Sequence, residues 1–187
     1  MTQDELKNRW HTPDGIERRK RVLELARSGG KWFDALVGFP GANEVAQYLD
    51  LRGIDFSGED LDGAELVFAR LDYARFDRAT LTLRTNLCNT RLTGASFVRA
   101  NAANCGLVEV DAEGARFEEA DLTKALMFHS NFVDASFRGA NLEGADLSRC
   151  KLRGADFSDA KMAGIDLLHA WTEGAIAVPV QLAPTRR

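Results

Sequence analysis

A leucine or phenylalanine returns every five residues from Leu51 to Leu167, and two positions earlier there is usually an alanine. Five is neither the helical period of 3.6 nor the strand period of 2, so neither element can run through this stretch. The repeat must be one short structural unit stacked many times. That constraint decides the architecture before any other property of the chain is considered.

With the large apolar residue taken as the centre of each unit, one register runs from Leu51 to Leu81. After a single spacing of six, a second runs from Leu87 to Leu167. Together they make 24 units, of which 20 have Leu or Phe at the centre. Two positions before the centre, 14 of the 24 residues are Ala and five more are Ser, Thr or Cys. Residues two apart lie on one side of an extended chain, so the small and the large residue point inward together. Their neighbours, mostly Asp, Asn, Arg, Ser, Thr and Glu, point out. Two positions after the centre, nine of the 24 are Gly, which fits a bend. Each unit is therefore a very short strand and a corner.

The phenylalanines set the number of corners. Phe56, Phe76, Phe97, Phe117, Phe137 and Phe157 are 20 residues apart, or 21 across the insertion. Twenty residues are four units, which predicts a four-sided coil with each ring above the last. Coils ~4.8 Å apart suit offset ring packing, and six of them span roughly 29 Å. Ala102 and Ala112 replace a large centre and predict looser packing mid-coil, with Val110 filling space beside Ala112. The extra residue within Thr82–Asn86 predicts a small bulge, because the phenylalanine spacing resumes in phase.

Runs such as Ala135-Ser136-Phe137-Arg138-Gly139, Ala140-Asn141-Leu142-Glu143-Gly144 and Ala145-Asp146-Leu147-Ser148-Arg149 resemble the A(D/N)LXX pattern of the pentapeptide-repeat family. The resemblance covers about Leu49 to Ala170. It implies an all-β solenoid, a right-handed quadrilateral β-helix of about six four-sided coils. The handedness comes from the resemblance alone.

The ends do not repeat. Residues 1–48 read as an α-helical N-terminal cap, because a solenoid leaves its terminal coil exposed. Thr12-Pro13 predicts an N-cap with Pro at N1, followed by apolar Ile16, Val22, Leu23, Leu25 and Ala26. Ser28-Gly29-Gly30 stops that helix. A second apolar segment, Trp32 to Val37, follows, and Asn43 is a candidate cap for a last turn. Residues 49–170 form the repeat and 171–187 an extended tail. There Trp171 is expected to cover the last coil, and the apolar run Ala175–Val180 to fold over the open edge or pair with a second chain.

Composition narrows the function. The net charge is −4, with the acidic excess in the repeat and no basic stripe, which disfavours direct nucleic-acid binding. No apolar run is long enough for a membrane span and no signal-peptide pattern is present, so a cytoplasmic protein is expected. Three cysteines form neither a disulfide framework nor a zinc motif. Cys105 and Cys150 take the small inward position, while Cys88 points out. No Ser-His-Asp, Cys-His or phosphate-loop pattern occurs. His129 and His169 lie two coils apart on one side, ~10 Å, too far to share a metal. Recurrent aspartates just before the centre are explained by solubility and local backbone bonding. No enzyme, cofactor or metal site is expected.

Sorting outward residues by the 20-residue period exposes one apolar stripe. It comprises Val67, Phe68, Val108, Leu126, Phe128 and Leu168, on the side with Leu66, Leu87, Leu107, Met127, Leu147 and Leu167 at its core. Apolar stripes of this size mark contacts, unless the chain's own tail covers them. The first functional expectation is a non-catalytic interaction or scaffold protein, whose partner is another protein or a second copy of itself. The resemblance adds an alternative, a DNA mimic that binds DNA gyrase or topoisomerase IV and protects it from quinolones or other poisons. Its candidate surface is the most acidic side, with Glu59, Asp60, Asp62, Asp121 and Glu143. The long projecting loops of the quinolone-resistance branch are lacking.

Overall fold

A computed structural model describes residues 1–40 and 50–178. The repeat forms a four-sided parallel coil. Pairing is by single bridges rather than extended strands, each joining the residue before a centre to its counterpart 20 residues on. One ladder runs unbroken through Asp55, Arg75, Ser96, Arg116, Ser136, Asp156 and Ile176, six coil-to-coil steps. Four consecutive bridges, Glu65 to Asn86 through Thr80 to Asn101, are offset by 21, and the offset then returns to 20. The insertion is thus absorbed in one bulge, where Leu83 stands out into solvent.

Each corner is a tight turn. In most units the N–H three residues after the centre donates to the centre's carbonyl, as Ile54 does to Leu51 (3.1 Å) and Ala140 to Phe137 (3.0 Å). The residue two after the centre has a positive φ in 23 of the 24 units, Leu83 in the bulge being the exception. This geometry is that of a type II turn. Glycine adopts it freely, but 14 of the 23 carry side chains, among them Phe68, Tyr73 and Arg99. The coil therefore imposes the corner on whatever residue falls there, at a backbone cost that the core offsets.

Inside, the phenylalanine ladder is continuous. Phe76, Phe97, Phe117, Phe137 and Phe157 stack at centroid distances of 4.6, 4.8, 5.0 and 5.0 Å with ring planes within 12° of parallel. Phe56 at the first coil is tilted by 42°. Phe132, on the next side, sets its ring at a steep angle to both Phe117 and Phe137 (5.9 and 5.6 Å). It stands one coil above Ala112, so a large ring follows the small centre in the same column. Ala102, Val110 and Ala112 are all buried.

The N-terminal segment is built of α1 (Gln3–Asn8), a 3₁₀ turn (Arg9–His11), α2 (Pro13–Arg27) and a second 3₁₀ turn (Trp32–Leu36). α2 begins as its sequence predicts, with Thr12 accepting from the Gly15 N–H, and ends at Ser28 before Gly29 with positive φ. Its buried face is Gly15, Val22, Leu23 and Ala26, whereas Ile16 is exposed. Position 15 requires glycine, because a β-carbon there would collide with the Arg9 carbonyl. α1 is not expected from apolar periodicity, but Thr2 and Glu5 form a capping box around its first turn. The Asn43 cap lies outside the described residues.

This segment lies on the first coil through polar anchors as well as apolar contact. Trp10 donates its indole N–H to the Arg52 carbonyl (2.9 Å) and Trp32 to that of Glu65 (2.8 Å). Arg19 bonds the Asp55 carbonyl and the Glu59 carboxylate. α1 sits directly over Gly53, where a β-carbon would come within 2.7 Å of the Leu6 backbone. At the centre of the junction Asp50, fully buried, accepts from Arg9 and, through both oxygens, from Arg52 (2.9 and 2.8 Å). Burial alone would raise its pKa, but the bonds from Arg52 and Arg9 and the Arg9 charge outweigh burial and hold it below the ordinary value.

At the other end the register outruns Ala170. Trp171 is not folded over the last coil; it is 67% exposed and bridges Lys151 as the outward residue of a further unit. Ile176 bridges Asp156 in the same way, and the rest of the Ala175–Val180 run beyond Val178 lies outside the described residues. Both residues fall just before a centre position, and that placement turns them outward.

Two outcomes test this packing. Phe117→Ala removes a ring that meets Phe97, Phe132 and Phe137, and should lower unfolding stability by about 3–5 kcal/mol in urea melts followed by circular dichroism. Asp50 titrates lower in the folded chain than in the unfolded one. Its contribution is therefore complete above the unfolded value near 3.8 and lost as pH falls through the lower folded value. Asp50→Asn should cost about 3–5 kcal/mol at pH 7 and flatten the loss of stability below pH ~4; an unchanged acid limb would count against the buried pair.

Candidate interaction surface

The structure brings the apolar stripe together. Val67, Cys88, Val108, Phe128, Ser148 and Leu168 follow one another on successive coils. Each carbonyl after Val67 accepts from the corner N–H one coil earlier, as Phe128 does from Glu109 (3.3 Å) and Leu168 from Arg149 (2.8 Å). Phe68 and Leu168 are about 60% exposed and Leu126 45%, while Val67, Val108 and Phe128 are half-buried. Ser148 interrupts the column below Leu168. The stripe spans five coil steps, ~24 Å.

A polar corner borders the stripe. Asn89, Glu109, His129, Arg149 and His169 occupy its positive-φ positions. The His129 ring meets Phe128 edge-on at 5.8 Å, and Arg149 Nη1 lies 3.4 Å from His129 Nε2. Acting as acceptor toward Arg149 requires that nitrogen to be unprotonated.

Beneath the stripe lies a feature that the repeat pattern alone does not reveal. The five inward positions holding Thr, Ser or Cys in place of Ala all fall at the two inner corners of this one side. Thr85 donates to the Leu61 carbonyl (2.8 Å) and Thr90 to that of Leu87 (2.6 Å). Ser130 donates to Leu107 O (2.9 Å) and accepts from the Val110 N–H (3.1 Å), entering the turn of the neighbouring coil. The Cys150 thiol points at Met127 O (3.0 Å), and Cys105 lies 3.7 Å from Thr85 O. Sorting the small inward residues by column, not only by type, exposes this in the sequence. Burial pushes the Cys105 thiol up to about 12, with a further rise from Cys88. It does the same to Cys150, where a Ser130 backbone bond opposes it and the Asp146 charge adds to it. Neither thiol is nucleophilic at neutral pH.

The acidic side is less acidic than its residues promise. Glu59 is met by Arg19 (2.5 Å) and Arg27 (3.4 Å) of α2. Asp62 is gripped by Arg84 and Thr82 from the bulge, and those bonds lower its pKa. Asp60 and Asp121 bond the backbone N–H two residues on, at 3.0 Å in both cases. Asp121 is three coil steps from Asp60, ~14 Å, with Glu143 one step beyond. The five residues are brought to one side but not into one field. The phenylalanine side is likewise compensated, by Arg75 with Asp55 and Asp77, Arg99 with Glu119, Arg116 with Glu118, and Arg138 with Asp156.

No group of three His, Cys, Asp or Glu among the described residues could hold a metal ion, and no helix among them is long and apolar enough to cross a membrane.

The repeating unit, the four-sided parallel coil and the inward Ala–Leu/Phe pair define a repeat solenoid. The pentapeptide-repeat profile matches eight copies, over residues 49–82, 84–118 and 130–167, more than half of the chain. The chain belongs to the pentapeptide-repeat family. It is similar to HetL, a pentapeptide repeat protein involved in heterocyst differentiation regulation from the cyanobacterium Nostoc sp. strain PCC 7120. Identity is 29% over 68% of this chain and 67% of that one, with a TM-score of 0.54. QnrB1, a plasmid-mediated fluoroquinolone resistance protein, aligns at 20% identity over 68% and 75%, with a TM-score of 0.49. A pentapeptide repeat protein of the Arabidopsis thaliana thylakoid lumen aligns at 22% over 73% and 84%, with a TM-score of 0.28. A comparison with curated proteins finds no match.

Burial predicts the thiol chemistry of this surface. A maleimide should label one cysteine per native chain, Cys88, and all three after denaturation, as read by intact mass. Rapid native labelling of Cys105 or Cys150 would show that the inner corners open.

Proposed function

We propose that this protein is a non-catalytic interaction or scaffold protein whose contact surface is the apolar stripe of Val67, Phe68, Val108, Leu126, Phe128 and Leu168. One observation carries the reading: the exposed large apolar residues of the stripe lie on one side of a rigid coil, while most acids of the phenylalanine side, and Glu59 and Asp62 of the acidic side, are paired with arginines. Side-chain bonds at both inner corners hold the backbone of that side, which lowers the cost of presenting a fixed surface. The partner is another protein or a second copy of this chain, and the setting is cytoplasmic. We also take the coil to be right-handed and quadrilateral in the family sense, with residues 1–48 as its cap.

The gyrase- or topoisomerase-binding alternative rests on family resemblance. DNA mimicry requires uncompensated negative charge along one side, and the pairing of Glu59 and Asp62 with arginines weighs against it.

The test is the double variant Phe128→Ser, Leu168→Ser. It should keep the wild-type circular dichroism spectrum and lose partner capture, or fall to monomer mass in sedimentation if the partner is a second copy. Unchanged mass and unchanged capture would exclude the stripe as the contact. Inhibition of gyrase supercoiling by the wild-type protein, retained in the double variant, would favour the alternative.

A further inference from the structure

Where α1 meets the coil, on the side centred on Leu51, Leu71 and Leu92, there is a recess of about 260 Å³. Its wall holds three arginines, Arg52, Arg70 and Arg91, with a single carboxylate, Asp72, and Tyr73 alongside. Arg52 is engaged by Asp50. Asp72 is nearly buried and must serve both other arginines, Arg70 Nε at 3.3 Å and Arg91 Nη2 at 3.3 Å.

Charge does not balance here. Arg70 and Arg91 share the one carboxylate of Asp72, so one of their two positive charges is left unmatched among the described residues, in a chain whose net charge is −4. Each guanidinium has five N–H donors. Arg70 spends its Nε–H on Asp72 and Arg91 ion-pairs with the same carboxylate, and neither has another side-chain partner among the described residues. The Arg70 side chain is only 21% exposed, so water satisfies it incompletely. One coil on in the same columns, the acids are Asp111, whose carboxylate already accepts from Asn131, and the exposed Glu113. Elsewhere on the coil Arg99 has Glu119 to itself and Arg138 has Asp156.

We propose that this recess is a binding site for a small oxyanion, phosphate or a phosphate monoester, held by the remaining N–H donors of Arg70 and Arg91. The guanidinium fork matches two oxygens of a tetrahedral oxyanion, and the partial enclosure strengthens the attraction over that at an open surface. Because α1 lines one wall, an occupied site would also tie the N-terminal segment to the coil.

The test is calorimetric titration of the full chain at fixed ionic strength with inorganic phosphate and, separately, with glycerol phosphate. Saturable binding of either is expected, accompanied by a rise in melting temperature. Tighter binding of the ester identifies a monoester as the ligand class, and tighter binding of phosphate identifies the free ion. Arg70→Gln with Arg91→Gln should weaken binding at least about tenfold, while Arg153→Gln, an exposed arginine elsewhere, should leave it unchanged. Should the double variant unfold, Arg91→Gln alone gives the same reading, since that side chain is half exposed. No saturable binding of either probe, or equal binding by the arginine variants, overturns the proposal.

Discussion

Everything in this molecule hangs on the hydrogen bond from each centre's N–H to the residue before the next centre in its column, such as Phe97 to Arg116 (2.7 Å). These bonds join residues about 20 apart, so no coil is complete without the one above it. They also fix the column in which every side chain stands. The phenylalanine ladder, the apolar stripe and the ion-pair rows are three expressions of one backbone spacing. Stability is then a matter of neighbouring coils, and the first coil needs a neighbour of another kind. Arg9, Trp10, Arg19 and Trp32 meet that need by bonding carbonyls and carboxylates that a preceding coil would otherwise have met.

The coil was legible because its signal is redundant. The period of five sets the unit, and the 20-residue phenylalanine spacing sets the perimeter independently. Helix α2 was legible from Thr12-Pro13 and Ser28-Gly29, whereas α1 is too short for periodicity and shows itself only through Thr2 and Glu5. Trp171 was misread because a large aromatic near a chain end looks like a lid, while its place just before a centre position turns it outward. The corners were legible at glycine and hidden elsewhere. Phe68 or Tyr73 at positive φ contradicts local preference, and only the coil's closure dictates it.

Of the two candidate surfaces, the stripe followed directly from counting, since apolar outward residues have nothing to neutralise them. The acidic side did not, because its partners come from elsewhere in the chain. Arg19 and Arg27 reach Glu59 from α2, and Arg84 reaches Asp62 only because the bulge lets it turn back. Charge patterns on a solenoid have to be read with whatever covers its ends and interrupts its sides. The same holds for the recess under α1, where Arg70 and Arg91 sit in one column but the enclosure comes from outside the repeat.

The bulge at Leu83 acts as an expansion joint. It lengthens the perimeter of one coil by a residue while the columns above and below stay aligned. A chain of this kind can gain or lose length on one side without rotating any later side chain onto a different face. Surface pattern is thereby insulated from small insertions, which in a sheet of paired long strands would shift every residue beyond them to the opposite face.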